Sequence, residues 1–360
     1  MEDPTVAIPK LPNDVIIEIL TRLPVKPLVK FRCVCKSWRA LISSRQFVRI
    51  HLKNSRIDPS FTTHRVILNG HGNIKQCSVN SILYEPFTEA FDLSYSAQSE
   101  INSVRVVGSC DGLICLFTDR KDLILWNPTT RICKKLPNFD VKINVRGYFA
   151  YGLGYDRSSD DYRVVACFNS KRYLSEVIVQ VYSLRSDQWR RIENFKGGWL
   201  MDDPATFANG KLYWIADHEC ELEAGWDIVS FDLEKEKYEI LQMPSYVKSG
   251  YYSMLGVFEG SVYVLCSQLA SADVWIMNGC SEGDKNWTKV VTIPYLDDFL
   301  KYTYKRALYL LKDGRVLLLC SCTFVIFDAK DCSFSYPEIR NLGEFFSVGA
   351  YFESLVSPVG

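Results

Sequence analysis

The chain holds only 4 His in 360 residues, and its 13 Cys are odd in number and scattered. No Cys-x-x-Cys pair occurs; the nearest cysteines are Cys33/Cys35 and Cys320/Cys322. A zinc site draws about four convergent ligands at characteristic spacings, so a zinc module is excluded, and the cysteines read as reduced, small, buried hydrophobes. No cofactor, metal or catalytic residue is expected. The longest apolar run, Val316–Phe327, is interrupted by Cys320, Ser321, Cys322 and Thr323. It is shorter than the roughly 20 residues a membrane helix needs and reads as two buried strands, so no membrane insertion is expected. The Met-Glu-Asp-Pro start has no apolar core behind it, which argues against a secretory signal. A cytoplasmic or nuclear location is the expectation.

Excess charge of either sign is also missing, with 42 basic against 42 acidic residues. The balance hides an uneven distribution. Between Arg22 and Arg56 stand ten Lys or Arg and no Asp or Glu, so the remainder carries ten more acidic than basic residues. A basic helical surface suits a nucleic acid or an acidic protein. Leu, Ile, Pro and Trp dominate the contact face here and no basic stripe occurs elsewhere, so no nucleic-acid partner is expected. A small helical subdomain packed on the rest of the chain is the plainer alternative.

That basic stretch opens with a helical pattern. Pro12-Asn13-Asp14 is a plausible helix start, and Val15, Ile16, Ile19, Leu20 and Leu23 follow at helical spacing with Ile17 on a second face. Pro24 is expected to stop this helix and Pro27 to open the next. Val34, Trp38, Leu41 and Ile42 read as another stripe, and Ser44 as the cap of a helix carrying Phe47, Val48 and Ile50. Such short helices are marginal alone and expose more apolar surface than they can bury themselves. The run Leu11-Pro12 through Arg22-Leu23-Pro24 to Phe31-Arg32-Cys33-Val34-Cys35-Lys36-Ser37-Trp38 closely resembles an F-box. That resemblance implies docking on a Skp-type adaptor, and through it a cullin and a RING protein. It implies adaptor contacts at Leu11, Pro12, Ile16, Ile17, Leu20, Leu23, Pro24, Leu28, Phe31, Val34, Cys35 and Trp38.

Beyond Arg56 short strands replace helices, in a composition with 13% aromatic residues, which suits layered sheets. An apolar or aromatic residue followed by a small polar or acidic one recurs at Tyr84-Glu85, Trp126-Asn127, Tyr182-Ser183, Phe231-Asp232, Met277-Asn278 and Phe327-Asp328, at steps of 42, 56, 49, 46 and 50. Turn glycines at Gly112, Gly210, Gly260 and Gly314 follow at 98, 50 and 54. Asn209-Gly210 and Asp313-Gly314 read as tight hairpin turns, Glu259-Gly260 as a less regular one. A period near fifty fits four-stranded propeller blades of kelch size. The expected fold is therefore mainly β with a small N-terminal α module, residues 1–56, followed by a propeller of about six blades over 57–360. Phe345–Val356 is expected to pair near His64–Leu68 and close the ring. An ordinary β-sandwich is the alternative.

Gly108-Ser109-Cys110-Asp111-Gly112-Leu113-Ile114-Cys115 with Leu125-Trp126-Asn127-Pro128-Thr129-Thr130, and Tyr151-Gly152-Leu153-Gly154-Tyr155-Asp156 with Asp161-Tyr162-Arg163-Val164-Val165, resemble the F-box-associated domain of plant F-box proteins. The chain also resembles the S-locus F-box proteins within that family. The resemblance implies a non-enzymatic substrate receptor of an SCF ubiquitin ligase, directing a protein target to degradation. A pollen-type receptor for a self-incompatibility ribonuclease and a non-degradative adaptor-binding competitor stay open.

Chemical motifs give way on inspection. Gly152-Leu153-Gly154 lacks the third glycine of a dinucleotide fingerprint, and Gly108–Gly112 has its serine misplaced for a nucleophile elbow. His218-Glu219-Cys220-Glu221-Leu222-Glu223 reads as a solvated acidic loop. Cys110, Cys115, Cys133, Trp126, Trp214 and Trp275 read as strand core residues. Trp199, Trp226 and Tyr295 are expected as exposed loop aromatics, which often anchor partners, and with Glu219, Glu221 and Glu223 they are the candidate substrate contacts. The connections 195–203, 217–226, 267–273 and 295–304 are the candidate recognition loops.

Overall fold

The computed structural model describes residues 11–57, 64–70, 73–93, 104–119, 121–138, 147–170, 177–201, 204–217, 226–241, 253–268, 270–279, 286–295, 304–320, 322–345 and 347–359. Four helices come first: α1 (Asn13–Thr21), α2 (Val25–Phe31), α3 (Lys36–Ser43) and α4 (Arg45–Ile57). Leu20, Val25, Leu28, Ile42 and Phe47 form their shared core. Ser44 caps α4, its hydroxyl accepting from the Phe47 amide at 3.2 Å. α1 starts at Asn13 with Asp14 in its first turn, as expected, and Pro12 at its N-cap offers no side-chain bond. Two boundaries differ from expectation. Thr21 ends that helix before Pro24, which becomes the N-cap of α2, while Pro27 lies inside its first turn, where a missing amide proton costs nothing. Val34 precedes α3 instead of joining its stripe and is 62% exposed.

A buried histidine ties this module together. His51 of α4 bonds the Leu23 carbonyl at 2.8 Å through Nε2, with Ser55 at its other nitrogen. Donation to a carbonyl fixes Nε2 as protonated, so Nδ1 accepts from the Ser55 hydroxyl. Burial holds the His51 pKa below the usual imidazole value of 6.5.

Six antiparallel sheets follow. Blade 1 pairs Ser347–Phe352, His64–Asn69, Ile74–Ser78 and Phe91–Leu93; blade 2 pairs Val104–Cys110, Leu113–Thr118, Leu123–Asn127 and Ile132–Lys135. Blade 3 comprises Gly147–Asp156, Asp161–Ser170, Val177–Ser183 and Gln188–Arg191. In blade 4, Trp199–Leu200 and Thr206–Ala208 share the inner position beside Lys211–Asp217, followed by Trp226–Asp232 and Lys237–Leu241. Blade 5 is Ser253–Phe258, Ser261–Ser267, Ser271–Asn278 and Asn286–Pro294, and blade 6 is Tyr304–Leu310, Arg315–Cys320, Thr323–Asp328 and Ser333–Ser335. Each inner strand touches the next around a circle, from Ser347–Phe352 through blades 2 to 6 and back. The molecule is a six-bladed β-propeller, not a sandwich.

Ring closure follows the expected route. His64–Asn69 pairs antiparallel with Ser347–Phe352 along its whole length, so the last described strand supplies the innermost strand of the first blade and covers the inner edge of His64–Asn69. One marker differs. Leu83-Tyr84-Glu85 lies at the end of α5 (Val79–Tyr84), not on a strand, while the other five markers end the third strands of blades 2 to 6.

Each blade interface has its own apolar cluster. Val66 and Leu68 of blade 1 pack with Leu317 and Leu319 of blade 6, whereas Ile67 between them packs with Ile114 and Trp126 of blade 2. Alternate residues on one strand thus enter opposite interfaces, and both faces are buried. This is why strands such as Val316–Cys320 read as unbroken apolar runs. Trp126, Trp214 and Trp275 are buried as expected, as are Cys110 and Cys115; Cys133 is only partly buried. All cysteines among the described residues are free, but Cys33, Cys35, Cys322 and Cys332 are exposed, against the expectation of uniform burial.

Turn geometry separates the glycines. Asn209-Gly210 and Glu259-Gly260 both have two positive φ values, the two-residue hairpin form. At Asp313-Gly314 only glycine has positive φ, and the Gly314 amide donates to the Leu311 carbonyl; the turn is a longer one ending in a left-handed glycine. Gly112, with φ +81°, also meets Ser354, whose Oγ would lie 2.3 Å from an added Cβ, whereas Gly210 has open space.

Gly210→Ala should therefore cost about 1–2 kcal/mol from backbone strain alone, while Gly112→Ala should cost more because Ser354 must move; equal melting temperatures for the two variants would contradict this. Because the folded His51 pKa lies below the unfolded value of about 6.5, the unfolded chain binds the proton more readily. The stability from neutral His51 is present above pH 6.5 and is lost as pH falls below it. His64, also buried with a lowered pKa, acts in the same direction. Melting temperatures between pH 7.5 and 5.5 should fall less steeply for His51→Gln than for the parent.

Candidate functional site: two opposed interaction surfaces

The helical module is fixed to the propeller by the segment after the last strand. Glu353, 5% exposed, accepts from Arg65 of blade 1 at 3.0 Å and pairs with Lys26 of α2 at 3.4 Å. Ser354 donates through Oγ to the Asp111 carbonyl at 2.6 Å. Leu355 joins the helical core, and Val356 the cluster between blades 2 and 3 that Val48 and Leu52 of α4 also touch. Asn127 donates to the carbonyls of Ser354 and Val356 at 3.1 and 2.7 Å. Farther along α4, Arg45 and Arg49 both pair with Asp160 in a turn of blade 3. The helical module is thus packed on the propeller, and its basic face partly serves that packing.

Antiparallel alternation decides what each propeller face carries. Turns from first to second strand, such as Asp111-Gly112 and Arg157–Asp160, emerge on the helical side, as their contacts with Ser354 and Arg45 show. Connections from second to third strand and from fourth to the next first strand leave the opposite side. All four candidate recognition loops, 195–203, 217–226, 267–273 and 295–304, are of these kinds.

Within those loops the expected aromatics are placed differently. Trp226 starts the third strand of blade 4, pairs with Asp217 and packs partly buried against the blade 4/5 core. Tyr295 is half-buried in the blade 5/6 core. Neither is an exposed anchor, because each extends a strand whose side chain enters a blade interface. The Trp199 backbone is paired with Asp217 on an inner strand rather than free in a loop. Glu219, Glu221 and Glu223 lie outside the described residues.

The helical module divides its expected contacts into two sets. Leu20 and Leu28 are 1% and 0% exposed and hold the core; a partner reaches neither. Ile16, Ile17, Leu23, Phe31 and Trp38 are partly buried against that core, with Phe31 and Trp38 edge to face at 5.6 Å. Leu11, Pro12, Pro24, Val34 and Cys35 are exposed. Ile19, 49% exposed, belongs with this outer set although helical spacing alone aligned it with the core. Cys35 caps α3, its Sγ accepting from the Trp38 amide at 3.5 Å.

Among the described residues no group of His, Cys, Asp or Glu is arranged to hold a metal ion, and no helix is long and apolar enough to cross a membrane.

Comparisons with known proteins match the same two parts. Residues 8–50 match the F-box domain and residues 64–357 the F-box associated beta propeller domain. An F-box/kelch-repeat protein of Arabidopsis thaliana is 32% identical over 360 residues, covering 97% of this chain and 96% of that protein. The F-box protein CPR1 of the same plant is 29% identical, covering 96% and 88%. Among solved structures, the beta-propeller domain of the Trilobed protease from Pyrococcus furiosus aligns with TM-score 0.36 and 11% identity, over 79% of this chain and 93% of that one. An F-box implies binding to a Skp-type adaptor within an SCF complex, and its pairing with a propeller fits substrate recognition in general. By its helical module, its six-bladed ring and these matches, the chain belongs to the plant F-box proteins with an F-box-associated β-propeller.

Proposed function

We propose that this chain is the substrate-recognition subunit of an SCF-type ubiquitin ligase. Residues 1–56 bind the Skp-type adaptor, which brings the cullin and RING protein, and residues 57–360 hold a protein destined for ubiquitination and degradation. One observation carries the reading: exposed apolar residues on the helical module face away from a core that is itself locked onto one face of the propeller, leaving the long connections on the other face. The chain does no bond chemistry in this scheme. It raises the effective concentration of a substrate lysine near the charged enzyme, and a fixed distance between the two surfaces makes that concentration definite.

The acidic run of Asp217, Glu219, Glu221, Glu223 and Asp227 supports a basic substrate surface, through steering and complementarity.

A ubiquitination assay using proteins captured by the full chain, with and without its F-box, tests the reading. Capture of the adaptor without transfer of ubiquitin to any captured protein would favour a competitor instead. Replacing Leu11, Ile19 and Val34 together by Ala should abolish measurable adaptor binding, since each buried side chain contributes about 1.5–3 kcal/mol, and should leave the melting temperature near the parent's. Leu20→Ala should behave oppositely, lowering the melting temperature through a core cavity. Exchanging Glu219, Glu221 and Glu223 for Lys should preserve adaptor binding while weakening substrate capture and its salt dependence; unchanged capture would move recognition to other loops.

A further inference from the structure

The α2–α3 corner carries basic groups that have no acidic partners among the described residues. Of the bases between Arg22 and Arg56, Arg22 pairs with Glu18, Lys26 with Glu353, and Arg45 and Arg49 with Asp160. Lys30, Lys36 and Arg39 are exposed and make no ion pair among the described residues. Arg32 is partly buried, and its Nε is fully covered with no hydrogen-bond acceptor among the described residues. A covered, unsatisfied donor on a charged group is destabilising. Arg39 adds to this by lying close enough to repel Arg32, which together with burial lowers the Arg32 pKa. Two like charges therefore stand close together beside exposed Val34 and Cys35, with no acidic partner among the described residues.

From this cluster we infer that Arg32 and Arg39, with Lys36 beside them, receive a carboxylate of the adaptor. The inference rests on the adaptor-binding reading above and adds to it a charged contact at one corner of an otherwise apolar surface. An acidic side chain neutralises the partly buried Arg32 guanidinium charge and accepts from the planar, exposed Arg39 fork. A nucleic-acid backbone fits less well. It requires a stripe of bases following successive phosphates, whereas the neighbouring bases on α4 are already committed to Asp160, and Val34 and Trp38 flank the cluster with apolar surface. The contact also selects register, because a partner sliding along the apolar face would leave two guanidinium groups unpaired.

The test measures binding of purified Skp-type adaptor to the full chain as a function of salt. The double variant Lys36→Glu with Arg39→Glu should weaken binding at least tenfold near 0.05 M salt. The gap should narrow toward 1 M, where charges are screened within about 3 Å. The melting temperature of the double variant should not fall, since the carboxylate introduced on α3 would give Arg32 an acceptor. An acidic-to-lysine variant of the adaptor at the contacting position should recover binding to the charge-reversed chain. If charge reversal leaves affinity and salt dependence unchanged while Leu11→Ala and Val34→Ala weaken binding, the carboxylate contact is refuted and adaptor binding stands. Unchanged binding in all of these variants would overturn both. Loss of binding to a duplex oligonucleotide, with adaptor affinity intact, would reassign the cluster to phosphate and overturn the inference.

Discussion

The antiparallel pairing of Ser347–Phe352 with His64–Asn69 is the constraint on which the rest of the molecule depends. A ring of sheets has no stable open form comparable to its closed one, because an open ring exposes two apolar blade faces and two unpaired edges. Closure by the final strand removes all four at once. It also fixes where the chain goes next. Glu353 through Val356 emerge at the helical face, between blade 2 and the F-box, with a charged, a hydrogen-bonding and two apolar side chains each already matched to a partner.

The seam explains an odd feature of the charge distribution. A basic F-box on an acidic remainder looks like preparation for an external partner, yet four of its bases are neutralised within the chain. Glu353 is nearly inaccessible, and a buried carboxylate is tolerable only when paired and hydrogen-bonded; Arg65 provides a two-point contact and Lys26 links it to α2. The Asp160 contacts are more exposed and individually worth less. Their value is geometric, since they tie the same part of α4 that the tail touches to a second point, the Asp160 turn of blade 3.

Much of the architecture was legible in the residues because it is written in local chemistry. Turn glycines in blades 2, 4, 5 and 6 and the polar ends of the third strands in blades 2 to 6 recur at the blade spacing, so they report the repeat directly. Blade 1 broke the pattern because α5 replaces its strand end, and its short apolar run Ile82-Leu83-Tyr84 reads equally well as either. The F-box was visible as a helical segment too apolar for its size. Which of its residues face outward was not visible, since Leu20 and Ile19 are adjacent, equally apolar, and opposite in burial only because α4 and Leu355 cover one side. The aromatics of the recognition face were misplaced for a similar reason: Trp226 and Tyr295 follow loop-like sequence but belong to strand ends, and burial there depends on the neighbouring blade. The cation cluster at Arg32 was hidden because charge counting cannot distinguish a paired arginine from an unpaired one.

Leu355 has a consequence in time. The F-box leaves the ribosome some three hundred residues before Leu355, one of the side chains that fills its core. Until the sixth blade is complete and the terminal strand has inserted, Leu20, Leu28 and Phe47 lack a covering residue and the module lacks its anchor. An incompletely folded chain therefore presents a loosened F-box, whose final packing waits on completion of the propeller ring.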